Sequence, residues 1–542
     1  MKFSEINYER IDFCKSRENL SKIYKDMDKA DSYLEFMNLL KKANKIRKHI
    51  MTMQTVSQIR FSMNTEDKYY KNEKEYWDEY MPLFEDLDIE LYKTILESKH
   101  KEKIQEEYGN QYIKYIRTVV NGFSKEIIPL LQQENKLMSQ YTELLASAKI
   151  KFDNRVCNLS DMAVYMESNN KEVREKAVRL HTNFFLENEE KFDSLFDQLV
   201  KIRHSMSKEM GFKNFIELGY LRMHRTDYNA EMVKNLRKKV LKKYVPLAEK
   251  AYKEQAERIG AKKIDYYNER IEFLDGNASL VGNGDFIIEQ GKRMYSKMSP
   301  ETKEYIEYLI ENELFDVKPR EGKAMGGYCT ILYDNNDSFI FGNFNGTVDD
   351  VDVLTHEAGH GFQVYMSRNQ EMPELVFPTL DSCEIFSMSM EFFTYPWMEY
   401  FFGKDCEKYK TYHYDSMIKF LPYGVLVDHF QHIIYENPNL TPKERKEEWR
   451  KLEKKYLPYR DYADLDILNR GGFWFRQGHI FKNPFYYIDY VLAEICALQF
   501  KELMDSNSKD AWNRYVKISK LGGSKSFTEL VEIAGLENPF EL

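Results

Sequence analysis

The sequence has 542 residues, with 79 basic and 88 acidic side chains and a net charge of -9. So mild an acidic excess over this length argues against a nucleic-acid-binding protein, and an aromatic content of 15% excludes an intrinsically disordered chain. With about 150 residues per domain as a guide, the chain is long enough for a large core and more than one lobe.

The cysteine pattern and the lack of long apolar segments indicate the cellular compartment of the protein. The six cysteines are scattered and show no C-x-x-C spacing, so we expect no disulfide framework and a reducing environment. The first residues lack the apolar segment of a signal peptide, and no apolar run approaches the ~20 residues of a membrane span. We therefore expect a cytoplasmic protein that binds neither membranes nor nucleic acid and is a monomer or a small homo-oligomer.

The N-terminal part of the chain predicts long helices. Residues 1–200 contain only two prolines and two glycines, and apolar residues recur at helical spacing. Residues 208–320 keep the helical pattern but contain more turn signals, with a loop predicted at 274–285. We predict a mainly α protein with an N-terminal helical region over residues 1–205 and a functional region over residues 206–542.

The composition changes after residue 318, where a glycine-rich loop precedes two short runs rich in aromatic and β-branched residues. The runs cover residues 328–333 and 338–344, and a polar turn separates them, which predicts a β-hairpin. We expect the second run to be an edge strand that holds an extended peptide by backbone hydrogen bonds at Phe341, Gly342 and Asn343. The alternative is that the hairpin only braces the following helix.

The next segment contains the motif His-Glu-Ala-Gly-His at residues 356–360. Residues four apart lie one above the other on an α-helix, so His356 and His360 can direct two imidazoles at one metal ion. Glu357 can then act as the general base for a metal-bound water. Thr347 and Asp350 predict a capping box at the start of this helix. Because the motif also arises by chance in long chains, its surroundings have to support it.

A catalytic zinc ion commonly has three protein ligands and one open position, so a third ligand is needed. A metzincin motif is excluded, because Gln363 and Met366 stand where it requires Gly and His. Glu384 and Glu391 lie two turns apart on a second predicted helix, and either could bind the metal. Glu384 is better placed, whereas Glu391 is suited to orient a histidine ligand. Asp381 fits the helix start, and we predict a supporting role for it as for Glu391.

With these motifs the chain resembles the thimet oligopeptidase and oligoendopeptidase F family of zinc metallopeptidases, in particular the bacterial branch that includes the Pz-peptidases. The resemblance covers roughly residues 210–500 and is carried mainly by the segments 344–350, 356–360, 384–391 and 479–490. It implies one zinc ion per chain, bound by His356, His360 and Glu384, with Glu357 as the base. It also implies an elongated body with two lobes, interleaved around a deep central channel, and a small sheet beside the motif helix.

The family has a histidine and tyrosines in the C-terminal segment that assist catalysis. By this likeness we expect Tyr490 to donate a hydrogen bond to the oxyanion, and His479 and Tyr486 to contact the substrate. The alternative is that these aromatic residues only form part of a helical core.

Three further histidines, His413, His429 and His432, are expected in the core or the channel wall, because the ligand set is already complete. The sequence therefore predicts a zinc endopeptidase that hydrolyses internal bonds of short unfolded oligopeptides. The alternatives are a zinc carboxypeptidase that trims peptide ends and a non-catalytic helical peptide-binding protein.

Overall fold

The computed structural model describes residues 2–282 and 284–541. Helices dominate this part of the chain, and the prediction of a mainly α fold is confirmed. The helices are α1 (Phe13–Lys29), α2 (Tyr33–Met63), α3 (Lys68–Glu97), α4 (Lys101–Tyr108), α5 (Asn110–Asn121), α6 (Ile128–Ala146), α7 (Leu159–Met166), α8 (Lys171–Glu187), α9 (Glu189–Glu209), α10 (Phe215–Arg222), α11 (Ala230–Arg258), α12 (Gly284–Met298), α13 (Pro300–Glu311), α14 (Asp349–Ser367), α15 (Leu380–Phe393), α16 (Glu399–Phe402), α17 (Cys406–Glu436), α18 (Pro442–Tyr456), α19 (Asp466–Asn469), α20 (Gly478–Lys482), α21 (Tyr487–Ser519) and α22 (Phe527–Ala534). The strands are β1 (Ile150–Phe152), β2 (Arg155–Cys157), β3 (Phe315–Asp316), β4 (Tyr328–Leu332) and β5 (Asp337–Phe341).

The long N-terminal helices form because little in their sequence interrupts them. α2 runs for 31 residues and α3 for 30, and the Ser32 and Asp67 side chains accept hydrogen bonds from amides of their first turns. The apolar faces of α1–α5 enclose a core around Leu40, Trp77 and Leu91. The N-terminal helices thus bury a second hydrophobic cluster, to which Met372 and Leu375 of the segment between α14 and α15 also belong.

A larger core joins α6–α9 to the helices that follow residue 206. Leu137 on α6 and Phe196 on α9 belong to the same buried cluster as Phe430 on α17 and Phe481 on α20. The described helices include none with the length and apolar character needed to span a membrane. The boundary between residues 1–205 and 206–542 stays a prediction.

The helices α14 and α15 approach each other closely at Gly359. A β-carbon at Gly359 would lie 2.6 Å from both the carbonyl oxygen of Phe386 and the Cα of Ser387, which no real side chain tolerates. α15 also packs along α21. Glycine at this position therefore lets the backbone of the motif helix come into direct contact with the second predicted helix.

The expected hairpin is present, but its second strand is not at an edge. β4 pairs antiparallel with β5, and β3 pairs parallel with β5 on the other side, which gives the order β3-β5-β4. All of β5 is buried, and the sheet packs against α14. The predicted edge position of residues 338–343 is therefore wrong, because backbone groups of β5 are already paired on both sides.

The start of α14 also differs from the prediction. No side chain caps it in the expected way; instead the Asp350 carboxylate accepts hydrogen bonds from the amides of Asn345 (2.9 Å) and Gly346 (2.8 Å). Asn345 in turn accepts from the amide and the hydroxyl of Thr347. The loop before the helix is held by its own side chains, because Asp350 reaches backwards rather than pairing with Thr347.

A buried ion pair links the N-terminal helices to the C-terminal part of the chain. Glu134 on α6 accepts hydrogen bonds from Arg203 on α9 (2.6 Å) and Arg222 on α10 (2.7 Å). Arg203 also donates to the hydroxyl of Tyr435 and to the carbonyl oxygen of Phe481 on α20. Burial opposes ionisation of Glu134, but the two arginines outweigh it and lower its pKa to about 2.

We expect Glu134→Gln to lower the free energy of unfolding by about 3 kcal/mol at neutral pH, as the depressed pKa implies. Since the folded-state pKa lies below the ordinary value of 4.5, this stabilisation is present above that pH and is lost as the pH falls towards 2. Urea denaturation of both proteins over a pH series would measure it. Asp505→Asn, which removes the exposed carboxylate of an ion pair with the half-buried Lys501, is the control and should have a much smaller effect. Equal losses in the two variants would contradict the assignment.

Candidate metal centre and active site

The motif histidines and a glutamate of the neighbouring helix converge on one point. His356 and His360 lie one turn apart on α14, and Nε2 of each lies 3.2 Å and 3.3 Å, respectively, from Oε2 of Glu384 on α15. The possible ligand atoms of these three residues all lie within 4.8 Å of one another. Two imidazole nitrogens and one carboxylate oxygen are the donor set of many three-ligand zinc sites.

The electrostatics of this group favour a positive charge at its centre. Burial disfavours the charged form of Glu384, yet His360 and His356 hold the pKa of its carboxyl well below the ordinary value. Burial also opposes the imidazolium of His356, but Glu384 and Glu391 raise the pKa of His356 well above its usual range. A proton or a divalent cation can supply this charge, so these residues fit a metal site.

A chain of hydrogen bonds supports His356 from behind. Its Nδ1 lies 2.7 Å from Oε1 of Glu391, and Oε2 of Glu391 lies 2.6 Å from Nε2 of His413. The chain ends at the hydroxyl of Tyr395, 2.7 Å from Nδ1 of His413. Glu391 and His413 are 3% and 1% exposed, so neighbouring groups fix their orientation. By contrast, Nδ1 of His360 is buried and has no hydrogen-bond partner among the described residues.

Glu357 faces the glycine-rich loop that precedes β4. Its Oε1 lies 3.6 Å from the point that a β-carbon at Gly327 would occupy, and Val353 bounds the same space. Burial raises the pKa of the Glu357 carboxyl above its ordinary value, while His356 and His360 act in the opposite direction. A carboxylate with a raised pKa is suited to accept and return a proton near neutral pH.

The predicted C-terminal residues gather beside the candidate metal ligands. The Nε2 of His479 lies 3.3 Å from the hydroxyl of Tyr490, and the rings of both contact Tyr486. Tyr486, however, donates its hydroxyl to Oε1 of Glu384 at 2.5 Å. The structure thus places Tyr486 on a candidate ligand, whereas a substrate contact was expected for it.

Gln477 determines the orientation of His479. Its Oε1 accepts from the hydroxyl of Tyr423 (2.7 Å), and its Nε2 lies 2.9 Å from Nδ1 of His479. An amide nitrogen can only donate, so Nδ1 is the acceptor and the proton of the neutral ring is on Nε2, facing Tyr490. Burial, with a smaller effect of Lys482, lowers the pKa of His479 to about 4, which keeps the ring neutral at pH 7.

Two groups of predicted site residues are placed differently. The backbone amide of Gly342 donates to the carbonyl oxygen of Asp316 (2.8 Å), and Phe341 is paired with strands on both sides, so their predicted role in pairing with a peptide backbone is corrected. The side-chain amide of Asn343 donates to the carbonyl oxygen of Ala324 (3.1 Å), and the backbone contact predicted for Asn343 stays a prediction. Asp381, expected to support the ligands, instead accepts hydrogen bonds from Thr379 and Ser382 at the start of α15.

The two remaining histidines belong to the scaffold. His432 is buried and lies 3.1 Å from the hydroxyl of Tyr220, and His429 lies 3.0 Å from the hydroxyl of Tyr456. Neither contact involves the candidate ligands, in agreement with the expected structural positions. His413 differs, because it bonds to Glu391 behind the candidate site.

The sequence analysis missed several residues that contact this site. The Ser387 hydroxyl donates to Oε2 of Glu384 (2.8 Å), and the ring of Tyr487 contacts His479 and Tyr490. Ser387 could have been found, because it is three residues after Glu384 on a predicted helix and so shares its face. The contacts of Gln477 and His413 could not, since they depend on how distant segments pack.

Comparisons with known proteins agree with this architecture. Residues 3–123 match the family model described as Peptidase M3 N-terminal domain, and residues 299–541 match Peptidase family M3. A solved structure, Pz peptidase A with inhibitor 2, is 48% identical with a TM-score of 0.97, over 99% of this chain and 96% of that one.

Two curated relatives are more distant. The oligoendopeptidase F homolog of Borreliella burgdorferi is 21% identical, over 82% of this chain and 77% of its own. Oligopeptidase PepF of Bacillus subtilis is 23% identical over 75% of this chain, which spans 63% of that protein.

The fold, the candidate site and these relatives define the class of the protein, which is a helical metallopeptidase. The chain belongs to peptidase family M3, as the expected resemblance implied.

We expect Glu391→Gln to weaken zinc binding by about 10- to 100-fold, because His356 loses the carboxylate that orients it. Competition with a chelating dye would measure the affinity. Asp381→Asn is a matched control, since Asp381 is a buried acid on the same helix whose hydrogen bonds among the described residues go to Thr379 and Ser382. An unchanged affinity in the Glu391 variant, or the same loss in both variants, would contradict the role of Glu391.

Proposed function

We propose that the protein is a zinc-dependent endopeptidase that hydrolyses internal bonds of short unfolded oligopeptides. The observation that carries this proposal is the convergence of His356, His360 and Glu384 beside Glu357 and Tyr490. In this proposal the three convergent side chains hold one zinc ion per chain. Bound there, zinc would supply Lewis-acid activation of a water molecule and of the scissile carbonyl.

Glu357 is the proton carrier in this mechanism. Its carboxylate accepts the proton of the attacking water and delivers it to the nitrogen of the leaving amine. Burial favours this role, because it raises the pKa of the carboxyl and makes the protonated form accessible during turnover.

Tyr490 and His479 act on the developing oxyanion and on the substrate. The hydroxyl of Tyr490 donates a hydrogen bond to the negative charge that forms on the carbonyl oxygen. The neutral His479 ring has its Nε2 proton directed to the same side, since Gln477 occupies Nδ1. Tyr486 holds Glu384 by its hydroxyl, and its ring contacts His479 and Tyr490.

The start of β4 is a better candidate than β5 for pairing with the substrate backbone. β4 is at the edge of the sheet, and Gly327 immediately before it lies next to Glu357. An extended peptide along this edge would pass the proton carrier, as in other proteins that bind peptides by adding a strand. This replaces the role first expected for Phe341 and Gly342.

The sequence left two alternatives to an endopeptidase open. A non-catalytic peptide-binding protein is not retained, because the chain belongs to a peptidase family. A carboxypeptidase remains to be distinguished from an endopeptidase by the products of cleavage.

A cytoplasmic location is supported by six free cysteines, of which Cys14 is exposed. A channel that excludes folded proteins, and a monomer or small homo-oligomer, remain predictions.

An internally quenched peptide blocked at both ends tests the proposal. We expect internal cleavage, located by mass spectrometry, and a loss of about 10²- to 10⁴-fold or more in Glu357→Gln, because the proton carrier is removed. The variant should keep about one zinc ion per chain, because Glu357 is not one of the proposed ligands. Strict dependence on a free C-terminus would indicate a carboxypeptidase, and loss of zinc together with activity would give Glu357 a structural role.

Tyr490→Phe should lower kcat by about 10²- to 10³-fold with little change in KM, since its hydroxyl acts on charge that exists only in the transition state. Tyr486→Phe is the comparison variant. It removes the hydrogen bond to Glu384, so a lower zinc affinity should accompany its effect on activity. If Tyr490→Phe raised KM without lowering kcat, the oxyanion role would have to be abandoned.

A further inference from the structure

A cavity of about 310 Å³ lies beside residues that contact the candidate active site. Val348 and Asp349, at the start of the motif helix, form part of its wall, and Phe420 and Tyr423 on α17 form another part. The ring of Phe420 contacts Tyr490, the proposed oxyanion donor, with centroids 6.4 Å apart. The wall of this cavity therefore contacts the proposed oxyanion donor.

Most of the cationic side chains that line the cavity are neutralised by acids. Three lining cations have carboxylate partners at ion-pair distance: Arg270 with Glu167 (3.0 Å), Lys419 with Glu272 (3.1 Å) and Arg460 with Glu269 (2.9 Å). Their charges are thus used within the protein, and they have little capacity left for a ligand.

Arg476 is the exception. It lines the same cavity and is half-buried, and its guanidinium donates to the hydroxyl of Tyr266 (2.5 Å) and packs over the ring of Phe473 (4.8 Å). No carboxylate of the described residues forms an ion pair with it. A partly desolvated arginine with one neutral hydrogen-bond partner keeps donors free for a planar anion.

The position of Arg476 connects it to the reacting groups. The next residue, Gln477, bridges Tyr423 on the cavity wall and Nδ1 of His479. The charge of Arg476 also acts on Tyr487, opposing the effect of burial that raises the pKa of that hydroxyl. Tyr487 in turn contacts His479 and Tyr490. Arg476 therefore lies on the wall that continues from the candidate site into the cavity.

We propose that Arg476 is a specificity-determining residue that binds a carboxylate of the peptide substrate, beyond the bond that is cleaved. The C-terminal carboxylate of an oligopeptide and an acidic side chain near that end offer the same chemistry. A bidentate contact to a carboxylate would replace the missing counter-ion. The inference rests on the proposed peptidase function, and it explains how an endopeptidase could favour peptides that end at a set distance from the cleavage site.

The test compares peptides that differ only at their C-terminal end. One has a free carboxylate, a second is amidated, and a third is amidated and ends in glutamate; each is lengthened one residue at a time. We expect kcat/KM of the wild-type protein to favour the free carboxylate over the amide by about 10- to 100-fold at one length, the range for a hydrogen bond to a charged group. The preference should be largest at that length, because both the cleavage point and Arg476 are fixed.

The variants separate Arg476 from the general charge of the cavity. Arg476→Gln should abolish the preference, and Arg476→Lys, which keeps the charge but loses the planar fork, should retain part of it. Lys419→Gln is the matched control, since Lys419 lines the same cavity but is paired with Glu272 and Gln255. Its activity ratio between carboxylate and amide should stay as in the wild-type protein.

Binding measurements keep this inference separate from the proposed function. The dissociation constants of the same peptides are measured by calorimetry for Glu357→Gln and for the double variant Glu357→Gln/Arg476→Gln, in which hydrolysis does not interfere. An Arg476-dependent preference for carboxylate supports the inference even if the wild-type protein cleaves none of the peptides, an outcome that would refute only the peptidase proposal. A preference for the amidated glutamate peptide would assign the contact to a side chain. If the carboxylate and amide peptides bound equally, or if the preference survived Arg476→Gln, the assignment of Arg476 as the carboxylate-binding residue would be overturned.

Discussion

The candidate site depends on the close contact between α14 and α15. A carboxylate on one helix can reach imidazole nitrogens on another only if the two backbones approach closely, and Gly359 removes the β-carbon that would keep them apart. This glycine lies between the two motif histidines, so one turn of helix both presents the imidazoles and admits the partner helix. The distances of 3.2 Å and 3.3 Å from Glu384 to the two rings follow from that packing.

Polar groups behind this contact are buried and bonded to one another. His356 is held by Glu391, which is held by His413, while Glu384 accepts hydrogen bonds from Ser387 and Tyr486. A buried polar network of this kind is favourable only when its members find partners, because each unpaired group retains a large desolvation cost. The network therefore restricts His356 and Glu384 to one geometry before any substrate is bound.

The two sides of the site are built differently. On the metal side, buried ionised groups are held by hydrogen bonds that run deep into the core. On the substrate side, neutral groups predominate: Tyr490, a neutral His479 and the amide of Gln477. This division suits hydrolysis of a neutral peptide bond, because the ionised groups beside the candidate ligands favour a bound cation, and the donors of Tyr490 and His479 face the place where negative charge would develop.

Local patterns in the sequence predicted the helical class, the hairpin and the candidate ligands His356 and His360, with Glu384 or Glu391 as the third ligand. These features repeat at 2 or 3.6 residues or lie within one or two helical turns, so backbone geometry alone relates them. Resemblance to the family directed attention to the segment with His479 and Tyr490, which spacing would not have selected.

Only the tertiary structure decided the remaining features. The pairing of β5 on both sides depends on β3, a two-residue strand far too short to recognise. The hydroxyl of Tyr486 bonds to Glu384, and His413 bonds to Glu391, through contacts between helices that are distant in sequence. Arg476 is distinguished from the other arginines of its cavity only by which acids lie near each of them. The sequence by itself determines which groups can share a helical face; which faces meet, and which charges remain without a partner, depends on the packing of the whole chain.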